Sequence, residues 1–261
     1  MSRRSISGLR VVLTGASSGI GRALARELNR QGAHLVLSAR REERLAQLAD
    51  ELRSGYRQVL YRAGDITSAE VRATLLRAAR DHLGGLDLLV NNAGVGALGP
   101  FAEASQERLR RVMEVNFFAP AELMRGAIEL LRQGRRPMIV NMSSVLGHRA
   151  VPDKSEYCAS KFALHGLSDA VRAELAGTGI DLLLVSPSTT QSEFFDSVLE
   201  NGSRPSRLAG RGMPADRVAR QVVHAIRRGR HEIILSPGGK LLVWLDRLSP
   251  PLVNRLVARF G

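Results

Sequence analysis

Arg10-Val11-Val12-Leu13-Thr14-Gly15-Ala16-Ser17-Ser18-Gly19-Ile20-Gly21 is the stretch on which the reading of this chain turns. Its first four residues read as a short buried strand. A glycine-rich turn follows at once, and Arg22 to Arg30 continues as a helix. Strand, glycine turn and helix in that order form a cradle for a pyrophosphate. The glycines let backbone approach the ligand, and the helix start offers free N–H groups at a positive dipole end. The spacing is T-G-x-x-x-G-x-G, which differs from the generic G-x-G-x-x-G.

Outward from this turn, strands and helices alternate. Strands are expected at 10–14, 34–39, 58–62, 86–91, 137–142, 180–186 and 232–236. Helices are expected near 20–31, 42–54, 68–82, 105–132, 155–176 and 214–228. Such alternation gives a parallel sheet with right-handed crossovers. At 261 residues and 44% apolar, residues 1–261 read as one α/β domain. A single cysteine, Cys158, excludes an internal disulfide and reads as a packing residue. The six histidines are scattered, so no metal site is expected. No secretory h-region and no long apolar run are evident, and a cytoplasmic protein is expected. Net charge is +13, and 35 of the 38 basic residues are Arg. They are spread over nearly every expected helix, and aromatics are only 4%. The charge therefore reads as an Arg-rich surface, with no nucleic-acid partner.

The chemistry is carried by Tyr157 and Lys161, four residues apart on an expected helix and so on one face. A nearby ammonium favours phenolate and is expected to lower the Tyr157 pKa toward neutrality. Such a tyrosine exchanges a proton with a carbonyl or alcohol oxygen. Ser144, 13 residues earlier, is placed to hold the same oxygen; Ser143 is the runner-up.

With these residues together, the chain resembles the short-chain dehydrogenase/reductase superfamily in its standard form. Asn91-Asn92-Ala93-Gly94 after a strand, Asn116 in Glu114-Val115-Asn116-Phe117, Ser143-Ser144 and Ser186-Pro187 match in order over roughly residues 5 to 240. The resemblance implies a Rossmann-type, doubly wound sheet with strand order 3-2-1-4-5-6-7 and the ligand at the strands' carboxyl ends. It implies a catalytic set of Asn116, Ser144, Tyr157 and Lys161, with Asn116 holding a relay water; the alternative for Asn116 is an interior helix residue satisfied by backbone. It also implies cofactor contacts from the 15–21 turn, from Asp65 and Ile66 beside the adenine, and from Asn92, Ala93 and Gly94 at the inner ribose. Asn91 is expected to brace the sheet. Relatives often carry Pro-Gly after strand six. Here Pro187-Ser188 stands there, and Thr189 or Thr190 is expected to meet the carboxamide.

The second strand runs into Ser38-Ala39-Arg40-Arg41. An acid there would hold the ribose 2′-hydroxyl of NAD. Ala39 takes that position and Arg40 follows, a pattern that suits the 2′-phosphate of NADP, with hydroxyls from Ser17 and Ser18 in support. The alternative is that Arg40 and Arg41 simply open the second helix.

Residues 188–212 read as a lid. Pocket candidates, Val95 to Leu98, Val145 to Val151, Tyr157 and Phe194 to Leu199, are mainly apolar and suit a lipophilic ketone or aldehyde. Arg149 reads as a surface residue or as a site for an anionic substrate. The leading expectation is an NADPH-dependent carbonyl reductase acting on a small-molecule carbonyl or alcohol. The alternatives are a membrane-associated lipid carbonyl reductase and a non-catalytic nucleotide sensor or scaffold. The apolar residues of 105–132 and 155–176 suggest a homodimer or homotetramer.

In the tail, residues 239–261, Leu241, Leu242, Leu245, Leu248, Leu252, Val253, Leu256, Val257 and Phe260 recur at helical spacing, with Pro250-Pro251 breaking the run, Arg247, Arg255 and Arg259 between them, and Trp244 the chain's single Trp. Such a stripe needs a cover. It packs on its own domain or a sister subunit, or it lies as a peripheral membrane contact on anionic lipid.

Overall fold

The computed structural model describes residues 3–53, 56–191, 198–201 and 212–260. Seven parallel strands form its sheet: β1 Arg10–Thr14, β2 His34–Ala39, β3 Val59–Ala63, β4 Leu88–Asn91, β5 Met138–Met142, β6 Asp181–Ser186 and β7 Glu232–Ile234. Their order is 3-2-1-4-5-6-7, as the resemblance implies. The winding reverses between β1 and β4, where Val12 pairs with Leu89 on one side and Val36 on the other.

Strand residues alternate between two apolar layers. Val11, Leu13, Leu35 and Leu37 meet helices α1 (Gly19–Arg30), α2 (Glu42–Leu52) and α7 (Ala215–Arg227). Val12, Val36, Leu89 and Ile139 meet α3 (Ala69–Leu83), α4 (Gln106–Met113) and α5 (Ala119–Arg132) on the other face. Both faces are covered, so the strands read as continuous apolar runs. Helices α6 (Ser155–Glu174), α8 (Pro237–Leu248) and α9 (Pro250–Phe260) complete the fold. Among the described residues no helix is long and apolar enough to cross a membrane.

The single helix expected over 105–132 is interrupted. Ser105 caps α4 by accepting from the Arg108 amide, and a π-helical turn, Glu114–Phe118, separates α4 from α5. In that turn the Ala119 amide donates to the Glu114 carbonyl, five residues back. One residue too many per turn swings Asn116 into the interior, where it is 1% exposed. β7 is shorter than expected because Ser236 caps α8 through the Gly239 amide at 2.9 Å. Of the expected lid, residues 192–197 and 202–211 lie outside the described residues. Val198–Asn201 forms a short parallel ribbon with Gly96–Leu98.

The amino edge of the sheet is closed by charge. Arg4 bonds Asp181 at 2.7 Å, and Arg10 bonds Asp87 at 2.7 Å. Burial pushes the Asp87 carboxyl up, but hydrogen bonds from Arg10 and from two amides outweigh it and hold the carboxyl below its ordinary value. The opposite, carboxyl edge carries the glycine turn and the other candidate residues.

Candidate active site

The turn after β1 folds back on the end of β4. Gly15 has φ 68°, and a Cβ there would lie 2.8 Å from the Ala93 Cα. A Cβ on Gly21 would sit 2.1 Å from the Gly15 carbonyl oxygen. Both positions therefore exclude a side chain. Asn92 closes the turn: its Nδ2 donates to the Thr14 and Gly15 carbonyls at 3.0 and 3.1 Å. The Thr14 hydroxyl accepts from the Asn92 and Ala93 amides, each at 3.0 Å. Ser18, Gly19, Ile20 and Gly21 open α1, and the Ser18 side chain makes no capping bond to the first amides. A turn held close by Gly15 and Gly21, ending on a helix start that its own N-cap side chain leaves uncapped, fits a dinucleotide's pyrophosphate.

Beside the cradle, Ala39 ends β2 and Arg40 is exposed. Arg41 reaches inward: its Nε and Nη2 each donate to the Ser17 hydroxyl at 3.3 Å. The Asp65 carboxylate is committed to the amide and hydroxyl of Thr67, at 3.0 and 2.8 Å, and to Arg111. Burial pushes Asp65 up, but these partners outweigh it and hold the carboxyl at about 2. Ile66 is buried in the core layer of Val12 and Val36.

Across the cradle stand the chemical groups. Ser144 follows β5 and caps a short turn, Val145–Gly147, its Oγ accepting from the Leu146 amide at 3.1 Å. The Ser144 and Tyr157 hydroxyls are hydrogen-bonded to each other. Ser143 points elsewhere, its Oγ donating to the Lys161 carbonyl at 3.5 Å. Lys161 donates to the Met142 carbonyl at 2.9 Å, and its Nζ lies 5.7 Å from the centre of the Tyr157 ring. Gly94 sits between Asn116 and Lys161: a Cβ there would lie 3.2 Å from Asn116 Oδ1 and 3.8 Å from Lys161 Nζ. The Asn116 amide bonds Val95 at both ends, each 2.9 Å, and Ser160 at 3.0 Å. Asn91 braces the sheet by donating to Asn141 at 2.9 Å. Pro187 accepts from the Val145 amide at 2.9 Å, and Thr190 turns its hydroxyl back to the Ser188 carbonyl at 3.1 Å. Thr189 accepts from the Met213 amide through its carbonyl at 3.0 Å.

Tyr157 is not lowered toward neutrality: burial pushes it up to about 12, outweighing the bond from Ser144. The same burial brings Lys161 down to about 8. Desolvation of both groups wins over an ammonium 5.7 Å away. At neutral pH Tyr157 is a phenol, a proton donor. The pocket expectation also narrows: Val95, Ala97 and Val145 are buried in packing.

Three arrangements had no sequence signal. Arg108 and Glu156 form an ion pair at 2.6 Å with both side chains almost wholly buried, 48 residues apart and next to Tyr157. Arg149 is a clamp, bonding Asp246 at 2.9 Å and Asn254 at 2.7 Å. His148, His165 and Glu232 come together although the histidines are scattered in sequence. They have the donor types of a metal site, but Ser186 and Glu232 already engage His148 Nε2, at 2.9 and 3.2 Å. Burial, with His165 and Arg247 nearby, holds His148 down at about 4.

A seven-stranded parallel sheet with a glycine cradle and a Ser–Tyr–Lys cleft on its carboxyl edge defines a nucleotide-binding α/β oxidoreductase. The sequence profile of the short chain dehydrogenase family matches residues 10–202, and the chain belongs to that family. It is 32% identical to a ketoacyl reductase, HetN, of Nostoc, over 98% of this chain and 91% of that one. A short-chain dehydrogenase/reductase of Burkholderia phymatum, solved with NAD, superposes with a TM-score of 0.87 at 29% identity, covering 95% and 96% of the two chains. A short-chain dehydrogenase of Burkholderia cenocepacia, solved with NADP, gives 0.80 at 25%, covering 91% and 100%.

Proposed function

We propose that this protein reduces a lipophilic ketone or aldehyde to an alcohol with NADPH, or runs the reverse reaction. The observation that carries this reading is the Ser144–Tyr157 hydroxyl pair beside buried Lys161, facing the glycine cradle. NADPH, when bound, supplies the hydride that reduces the carbonyl carbon. Gly15 and the Ser17 to Gly21 turn hold its pyrophosphate, and Asn92, Ala93 and Gly94 border the ribose. Ser144 orients the substrate oxygen, and Tyr157, a neutral phenol, protonates it. Lys161 binds the ribose hydroxyls and stabilises charge that develops on Tyr157. The Asn116 side chain is committed to Val95 and Ser160, so its part in the site is to hold the Val95 backbone beside Gly94 and Lys161. The name of the Nostoc relative accords with an acyl-chain carbonyl substrate.

Solved relatives hold NAD in one case and NADP in another, so local residues decide the cofactor. Ala39 removes the acid, and Arg40 and Arg41 flank the place of a 2′-phosphate. Replacing either with Ala weakens NADPH binding by about tenfold to a hundredfold, the ~1.5–3 kcal/mol of a hydrogen bond to a charged group, and leaves NADH affinity nearly unchanged. A wild-type preference for NADH in a titration would sink this assignment.

Lys161 also sets a pH dependence. Its folded pKa is lowered to about 8, so it is charged below that pH and loses its proton as pH rises through it. With NADPH as the varied substrate, kcat/KM falls about tenfold per pH unit above that point. A flat profile to the alkaline limit of stability would show that the Lys161 charge is not used.

Assembly follows from exposed side chains. Leu109 on α4, Phe118 at the start of α5 and Phe162 on α6 are 38, 46 and 44% exposed. These helices pair across a two-fold axis in a homodimer or homotetramer. Sedimentation at micromolar concentration gives two chains or more, and Phe118→Glu with Phe162→Glu reduces it. A wild-type monomer is the contrary result.

A further inference from the structure

The tail does not cover its own apolar stripe. Val243 and Val253 anchor α8 and α9 to the body, at 4% and 1% exposure. Leu241, Trp244, Leu248, Leu252 and Leu256 stand out at 44 to 77%. They follow one another at steps of three and four, the spacing of one helix face carried across the Ser249 break. Five large exposed side chains on two adjoining helices exceed the scattered exposure of ordinary surfaces.

The charge around the patch has one sign. Lys240, Arg247, Arg255 and Arg259 are exposed on the two helices. Their single acid, Asp246, is taken by Arg149 at 2.9 Å. Lys240 also borders a groove lined by Arg217, Arg220, Arg228 and Arg230, with Glu232 as its acid. A second copy of this chain would bring the same cations against themselves. An anionic surface would neutralise them.

The patch is tied to the cleft. Arg149 donates to Asp246 on α8 and to Asn254 on α9, and its amide bonds Val145, the residue after Ser144. Gly239 of α8 packs on the Val145 side chain, where a Cβ would lie 2.7 Å from Val145 Cγ2.

We propose that α8 and α9 together seat on an anionic membrane surface. The leucines and Trp244 enter the headgroup boundary and the arginines bind lipid phosphates, while the Arg149 clamp presents the cleft to carbonyl substrates dissolved in the bilayer. The docking rests on the surface alone. The delivery of substrate rests on the carbonyl-reductase reading.

Flotation of the full chain with phosphatidylcholine vesicles, with and without phosphatidylserine, tests the docking. The wild type floats only with the anionic vesicles and is released by salt. Trp244→Glu with Leu248→Glu, and separately Arg255→Glu with Arg259→Glu, each cut the bound fraction about tenfold or more, since each basic residue near such a surface contributes roughly 1 kcal/mol. All of these residues are exposed, so the fold is kept. Reduction of a water-soluble aldehyde, followed in parallel, is unchanged by both variants and separates a failure of docking from a failure of the catalytic reading. Wild type that stays unbound, or binding that ignores both variants, overturns the proposal. So does a Trp244→Glu, Leu248→Glu variant that falls to a smaller oligomer in sedimentation, which would make the stripe an interface between copies.

Discussion

Tyr157→Phe loses at least about a hundredfold in kcat, the scale of a positioned proton donor, while NADPH binding is kept. The ring stays, so the packing around Lys161, 5.7 Å from its centre, is preserved. What disappears is the hydroxyl bonded to Ser144. With the phenol pushed up to about 12, its proton stays on at neutral pH and is available to the developing alkoxide. Rate measurement under saturating NADPH, with a cofactor titration by fluorescence, separates the two effects. Near-normal turnover in this variant would remove Tyr157 from the mechanism.

The second large effect is on stability. Arg108→Ala destabilises the fold by about 3–5 kcal/mol, the cost of leaving a buried charge without its partner. Both side chains of the Arg108–Glu156 pair are buried, at 3% and 1%. Arg108 also reaches the Leu98 carbonyl, and among the described residues Ser155 would remain on Glu156. Replacing both members with Met recovers most of the loss, because an apolar pair of similar volume leaves nothing unsatisfied. Urea unfolding of the single and double variants measures this. A single-variant loss below about 1 kcal/mol, within the range of an exposed pair, would show that the charge is not held dry.

The strands were legible because a strand buried on both faces must be apolar throughout, as in Leu35-Val36-Leu37, and because glycine and polar residues stop it. The cleft was legible because Tyr157 and Lys161 share a helix face, so spacing in sequence is spacing in space. The choice of Ser144 over Ser143 rested on the resemblance and not on helix geometry, since Ser144 lies outside α6; the structure places its hydroxyl against Tyr157. The π turn at Glu114–Phe118 left no trace, because it is a shift in backbone pairing and not in residue type. Arg108 and Glu156 gave no local signal because their partnership exists only after α4 packs on α6. The Tyr157 pKa was misjudged for a related reason: spacing shows which charges are near, while the extent of desolvation depends on the packed chain. Arg41 does open α2, as the alternative reading of Arg40 and Arg41 has it, while its reach to Ser17 depends on how α2 leaves β2.

Transfer of deuterium is the most direct test of carbonyl reduction at the Ser144–Tyr157–Lys161 cleft. The wild-type protein is given a panel of lipophilic ketones and aldehydes with NADPH deuterated at the transferring position of C4, and the alcohols are read by mass spectrometry. The expected product carries one deuterium on the carbinol carbon, with none entering that carbon from heavy water when unlabelled NADPH is used. Absence of NADPH consumption across the panel, or a carbinol hydrogen drawn from solvent, would contradict the assignment.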